Sequence, residues 1–234
     1  VMFLSRIHLN PHRRKTRAAL ANPQIMHAMV ASSLPPGMES SDKGRLLWRV
    51  DRDGHDVRLY IVSPYKPGLE HIVEQAGWES DPGQTTDYTR FLNHLAIGRE
   101  FDFRVTLNPV IQQWVAGSRG SRIPICGPKN QLSWLQQRTE QWGFRIVDYD
   151  APEDTIEEGS RTRRNHVAVR ILEEDNRSFE KRDHGNRRRV TQRHVTFLGQ
   201  LTVTDVALLR RALTHGMGRG KAYGCGLMSL AQVR

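Results

Sequence analysis

The chain has 234 residues, 38% of them hydrophobic, which suffices for one large domain or two small ones with an ordinary core. Its 35 Lys and Arg against 25 Asp and Glu leave a net charge of +10, which favours a polyanionic partner, nucleic acid before an acidic membrane surface. Two cysteines far apart, Cys126 and Cys225, with no CxxC pair, argue against a disulfide framework or zinc site; with no membrane-length apolar run and no signal-peptide core, a reducing cytoplasm and no membrane association are expected.

Met2 to Leu9 alternates apolar and polar residues and reads as a strand with one buried face. Asn22-Pro23 then supplies a side-chain N-cap followed by proline at the first helical position, which predicts a helix from Pro23 to Ser33. "RLLWRV", "DRDG" and "HDVRLYIVS" form a hairpin signal turning at Asp53-Gly54. A helical stretch from Gly68 to Gln75 precedes an expected strand at Ala76 to Glu79.

"SDPGQTTDY" is the most linker-like segment, and after it the order restarts. "REFDFRVTLNP" reads as a strand, "NQLSWLQQRTEQWGF" as a helix with Leu132, Leu135 and Trp142 toward a core, and "HVAVRILEE" and "HVTFLGQLTV" as strands. "TDVALLRRALTHG" is a helix capped by Thr204 or Asp205, and "GLMSLAQV" a closing strand. The expected fold is therefore α+β, two tandem βαββαβ units of the ferredoxin-like, RRM-like kind: residues 1–85, a linker at 86–98, and residues 99–234.

Gly159 to His194 differs from the rest. It holds eleven basic and five acidic residues, a net +6 of the total +10, including Arg161, Arg163, Arg164, Arg187, Arg188, Arg189 and Arg193. The plain alternative is a solvated charged hairpin. Phe179 is its only aromatic, which disfavours a platform for splayed single-stranded bases and favours phosphates of a structured or duplex RNA.

The stretch "GMGRGKAYGCGL", Gly216 to Leu227, packs five glycines with Arg219, Lys221 and Tyr223. A P-loop would need Ser or Thr after Gly220-Lys221 and a strand before the loop; here Ala222 follows and a helix precedes. The RRM strand pattern fits poorly, because Lys221 and Gly224 stand where aromatic and core residues belong. Gly216 suits a helix C-cap, but five glycines exceed that need. Close approach of backbone N–H groups to a phosphate chain, with Arg219 and Lys221 as neutralising charges, is the expected use, and Gly218, Arg219, Gly220 and Lys221 are the expected RNA-binding residues of the loop.

This motif resembles the C-terminal glycine-rich motif of CRISPR repeat-processing endoribonucleases, specifically the CasE family that serves the type I-E Cascade complex. "MFLSRIHLNP", "NPQIMH", "TLNPV", "QLSWLQQRTEQWGF" and "FLGQLTVTD" agree with it and span nearly the whole chain. The resemblance implies two ferredoxin-like domains and binding of the CRISPR repeat RNA hairpin. It implies one cut of precursor crRNA at the 3′ base of the stem, without metal or cofactor, by in-line attack of a ribose 2′-OH to leave a cyclic phosphate and a 5′-OH. It further implies retention of the crRNA among other Cascade subunits, by a protein that is a monomer when isolated.

The family's catalytic histidine matches His27. Independently, Ile25, Met26, Met29 and Val30 form an apolar stripe at helical spacing, and His27 falls beside it, outside the centre of the core face. An imidazole near pH 7 can accept the 2′-OH proton, but one residue cannot also protonate the leaving 5′ oxygen in a concerted step. Some relatives place a tyrosine three residues earlier, where this chain has Gln24, which can position but not transfer a proton. Lys221 and Arg219 are expected to stabilise the charged transition state if the loop reaches the first helix. The Gln24 departure motivates the competing reading, a non-catalytic RNA-hairpin-binding subunit.

Overall fold

A computed structural model of the chain describes residues 1–233 except 115–119, 150–165, 168, 184 and 185. The N-terminal alternation forms β1 (Phe3–Leu9), which buries Ser5, Ile7 and Leu9 on one face. Two helices follow, although only the second has a sequence signal for its start. α1 (Arg14–Ala21) begins at Arg13 without a side-chain cap, whereas α2 (Pro23–Ala31) is capped by Asn22, whose Oδ1 accepts from the Gln24 N–H at 2.9 Å.

A two-rung ribbon of β2 (Ser40–Ser41) and β3 (Gly44–Arg45) leads into the expected hairpin, β4 (Leu47–Asp53) and β5 (Asp56–Ser63), which turns through Gly54 at φ 55°. α3 (Glu70–Ala76) then crosses back. The strand expected at Ala76 to Glu79 is reduced to a single bridge between Gly77 and Leu9. The fourth strand is instead β6 (Gln84–Asp87), inside the segment that read as a linker, with Ser5 opposite Thr85 and Arg6 opposite Gln84. Its polar sequence is that of an edge strand, where side-chain hydrogen bonds replace apolar burial. The Ser5 and Thr85 hydroxyls are 2.8 Å apart, and Arg6 Nη2 donates to Gln84 Oε1 at 2.9 Å.

Residues 86–98 are likewise structured. Asp87 caps α4 (Tyr88–Asn93), and Tyr88, Leu92 and Leu95 are buried. The second unit then runs β7 (Glu100–Leu107), the hairpin β8 (Val110–Gln113) and β9 (Ser121–Pro124), and α5 (Pro128–Gln136). The helix expected through Phe144 stops at Gln136; a 3-10 turn at Glu140–Trp142 and left-handed Gly143 (φ 76°) release Phe144 into β10 (Phe144–Ile146). After the ribbon β11 (Asp148–Tyr149) and β12 (His166–Val167) come the long antiparallel strands β13 (Val169–Asp183) and β14 (Asn186–Val203). α6 (Val206–His215), capped by Asp205, and β15 (Met228–Gln232) close the chain.

The first sheet has the order β4-β5-β1-β6 and the second β10-β14-β7-β15, with β13 also paired to β14. In each, the unit's third strand lies between its second and first, and the fourth pairs on the far side of the first, which is the ferredoxin-like order. One hydrophobic cluster joins them: Met2, Leu47, Val62 and Tyr88 pack with Phe103, Leu107, Trp134 and Met228. Full burial of a Leu or Phe side chain contributes about 1.5–3 kcal/mol, so this shared cluster resists separation of the units.

Candidate functional site

α2 presents Pro23, Met26, Met29 and Val30 to the core, and His27 is half-buried beside that face. Ile25, expected in the apolar stripe, is 42% exposed: only part of the stripe packs inward. Among the described residues, the Nδ1 atom of His27 and the Oε1 atom of Gln24 one turn earlier are buried without a hydrogen-bond partner. Burial first, then the positive charge of Arg45, lowers the His27 pKa below the usual imidazole value, while Glu39 opposes the shift. A neutral ring nitrogen in that state can accept a proton.

The glycine-rich loop does reach α2. Its 3-10 turn, Lys221–Tyr223, packs against α2 and β4. Several glycines are required by packing rather than by a ligand. A Cβ at Gly224 would stand 2.7 Å from the Trp48 ring, and one at Gly226 would stand 2.5 Å from the Met217 carbonyl oxygen. Gly216 is the C-cap of α6, and a Cβ there would stand 2.6 Å from the Leu47 side chain and 3.1 Å from that of Lys221. Gly218 differs: at φ 63° its missing side chain would meet nothing closer than 3.8 Å.

Around Gly218 the backbone is available. The N–H groups of Gly218, Arg219 and Gly220 donate to no acceptor among the described residues, whereas those of Met217, Tyr223, Cys225 and Gly226 are all engaged. Gly218 and Gly220 at positive φ can turn these successive donors toward one anion. Arg219 is exposed and Lys221 is half-buried. The Lys221 pKa is lowered by burial, then by Arg45 and Arg219.

The charge of Arg45, an exposed side chain, therefore acts on both His27 and Lys221, and sequence reading missed it. Its position is set by Gly44, where a Cβ would collide with the Met2 side chain and the Thr214 carbonyl oxygen at the end of α6. A bare Gly before an isolated Arg was the available signal. Tyr223 stacks obliquely on Phe179 of β13, centroids 4.7 Å apart, which ties the loop to the basic hairpin.

Of the basic hairpin, Arg161, Arg163 and Arg164 lie outside the described residues, and Arg187 and Arg188 are placed only by backbone register, opposite Arg182 and Lys181. Arg189 is exposed and donates to Ser178 Oγ at 2.8 Å; Arg193 pairs with Glu174. Among the described residues no group of three His, Cys, Asp or Glu side chains could hold a metal ion, and no helix is long and apolar enough to cross a membrane. The arrangement joins an unpaired imidazole, neighbouring cations and a row of free N–H groups, the parts needed for proton removal beside a bound phosphodiester.

The chain is similar to known proteins over nearly its whole length. The CRISPR-associated endoribonuclease Cse3 of Thermus thermophilus is 27% identical over 237 residues, 98% of this chain and 100% of that protein. The structure of Cse3 bound to a 19-nucleotide RNA superposes with TM-score 0.75 and 26% identity, covering 98% of this chain and 99% of that one. Thermus thermophilus Cse3 bound to an RNA representing a pre-cleavage complex gives 0.73 and 28%, covering 98% of each. The fold is shared with Cas6e from Escherichia coli str. K-12 at TM-score 0.56 and 19% identity, over 99% of this chain and 100% of that one. The family model described as CRISPR associated protein matches residues 2–232, and the chain belongs to that family.

Proposed function

We propose that the protein is a metal-independent endoribonuclease of the CasE kind. It binds the stem-loop of CRISPR repeat RNA and cuts precursor crRNA at the 3′ base of the stem. His27 removes the proton from the ribose 2′-OH; the freed oxygen bonds to the adjacent phosphorus as the bond from phosphorus to the 5′ oxygen breaks. The products are a 2′,3′-cyclic phosphate and a 5′ oxygen that takes up a proton to become a hydroxyl.

Gln24 orients the reacting groups, and Lys221, with Arg219 and Arg45, offsets the negative charge that builds on the phosphorane. Gly218 and Gly220 admit the phosphate chain to the free N–H groups. Arg161, Arg163, Arg164, Arg187, Arg188, Arg189 and Arg193 hold the stem. The first unit thus supplies the base and the second supplies the cradle and the grip. The protein works in the cytoplasm, is a monomer when isolated, and keeps the crRNA within Cascade beside the other subunits.

The single observation that carries this reading is the buried His27 Nδ1, without a partner among the described residues, in the field of Arg45 and next to a loop whose N–H groups at 218–220 are free among those residues. A repeat RNA with a 2′-deoxyribose before the scissile phosphate tests it. The deoxy RNA should bind as well as the natural one and remain uncut; cleavage of the deoxy RNA would contradict 2′-OH attack.

A further inference from the structure

Helix α1 carries charge that the proposed reaction centre does not use. Arg14, Lys15 and Arg17 are exposed, none forms an ion pair among the described residues, and the first turn holds no acidic residue. Arg13 shows the contrast, because it pairs with Glu79 at 3.0 Å and donates to the Glu74 carbonyl. Thr16 and Ala19 define the buried side of α1, so at about 100° per residue Arg14 and Arg17 stand on the opposite side with Lys15 at its flank. Ala18 and Ala21 share that outward side, and their short side chains leave room for a bulky backbone to come close. Like charges at i and i+3 repel, so this face gains when an anion covers it.

The position of α1 indicates which anion. Its C-terminal end is tied to the basic hairpin, since Arg177 Nη1 donates to the Leu20 carbonyl at 2.8 Å while Nη2 pairs with Asp175 at 2.7 Å. Beyond Arg177, β13 continues to Asp183, roughly 20 Å at the usual rise per residue. At the same end, Asn22 is both the C-cap of α1 and the N-cap of α2, the helix that bears His27. Two cationic arms, α1 and the hairpin, thus meet at one corner next to the proposed reaction centre.

We propose that Arg14, Lys15 and Arg17 form a second phosphate-binding strip that holds the backbone of the same structured RNA that the β13–β14 hairpin grips. This rests on the reading of the partner as an RNA stem. The strip acts on affinity and not on chemistry, because it lies outside the group around His27 and Lys221. Its recognition is of phosphate, so it adds binding without sequence preference.

The experiment measures binding of an uncleavable 2′-deoxy repeat stem-loop across a series of KCl concentrations. Replacing Arg14, Lys15 and Arg17 together with alanine should lower the magnitude of the slope of log K against log[KCl] by about 2, since each phosphate contact contributes roughly 0.7–0.9. Arg14→Lys with Arg17→Lys should retain the slope, and single-turnover cleavage at saturating RNA should stay within twofold. Arg14→Gln with Arg17→Gln, which preserves helix propensity, guards against a folding defect and should lower the slope by more than about 1. An unchanged slope in variants that melt like the unmodified protein overturns the strip alone. Failure of the unmodified protein to bind the stem-loop at all overturns the RNA reading and the strip with it.

Discussion

Arg49, buried in β4 of the first unit, donates from Nη1 to the carbonyl oxygen of Leu227 in the second at 2.9 Å. The same nitrogen donates to the Arg104 carbonyl at 2.7 Å, and Nη2 donates to Ser229 Oγ at 2.8 Å. Asp51 balances the charge, accepting from Nε at 2.7 Å and from Nη2 at 2.9 Å. Leu227 directly follows the glycine-rich loop, so this guanidinium fixes the loop against the sheet of the unit that carries His27.

Arg49→Ala should therefore cost about 3–5 kcal/mol, because it leaves the half-buried Asp51 with Arg104 alone, at 3.3 Å, and takes the guanidinium donor from the buried Leu227 carbonyl. Urea unfolding checks this. A loss under about 1 kcal/mol, the net worth of one ordinary hydrogen bond, would mean that the cluster is not the joint described.

The glycines divide by what they touch. Gly224→Ala drives a methyl into the Trp48 ring at φ 88° and should lower the melting temperature strongly. Gly218→Ala makes only ordinary van der Waals contact, with Leu107 at 3.8 Å, and only the positive φ penalises it, by about 1 kcal/mol. Its main effect should be weaker RNA binding, read by titration. Equal thermal losses in the two variants would contradict the division.

Burial first, and then Arg45 by repelling the imidazolium, lowers the His27 pKa. If His27 accepts the 2′-OH proton, cleavage rises with pH as the ring deprotonates. Arg45→Ala removes the repulsion, raises the pKa, and should move the acidic limb of the single-turnover rate profile to higher pH. A limb that stays in place, or moves down, would contradict the geometry.

His194, largely buried beside Arg177 and Asp175, has its pKa lowered to about 4, by burial first and then by Arg177. The unfolded ring titrates near 6.5, so between these values the unfolded chain binds a proton that the folded one refuses. Its contribution disfavours the fold as pH falls from about 6.5 toward about 4, by about 3 kcal/mol in total. His194→Gln should lose less stability than the unmodified protein between roughly pH 7 and pH 4.5 in paired urea melts. Parallel losses would rule this out.

Much of the molecule was legible in the residues, and the gaps have physical causes. Asn22-Pro23 announced α2 because a side-chain cap and a fixed φ act locally. α1 has neither, and its run of cations hid an amphipathic helix that tertiary packing supports. β6 was invisible because Gln84–Asp87 is polar; as an edge strand it is held by hydrogen bonds to β1. In the site, the motif identified Lys221 and the free N–H groups around Gly218. It did not separate them from Gly224 and Gly226, which serve packing between residues distant in sequence. Arg45 carries no motif, and only the fold brings it to His27.

Whether His27 drives a metal-free cut is decided by incubating repeat RNA with the protein in excess EDTA, comparing the unmodified chain with His27→Ala, and mapping the ends of the products. The expected result is one cut at the 3′ base of the stem with a cyclic phosphate and a 5′-OH. Replacing His27 should slow it at least about 100-fold, within the range of roughly 10²–10⁴ for general base catalysis. No cleavage by the unmodified protein, or unchanged cleavage by His27→Ala, would overturn the catalytic role.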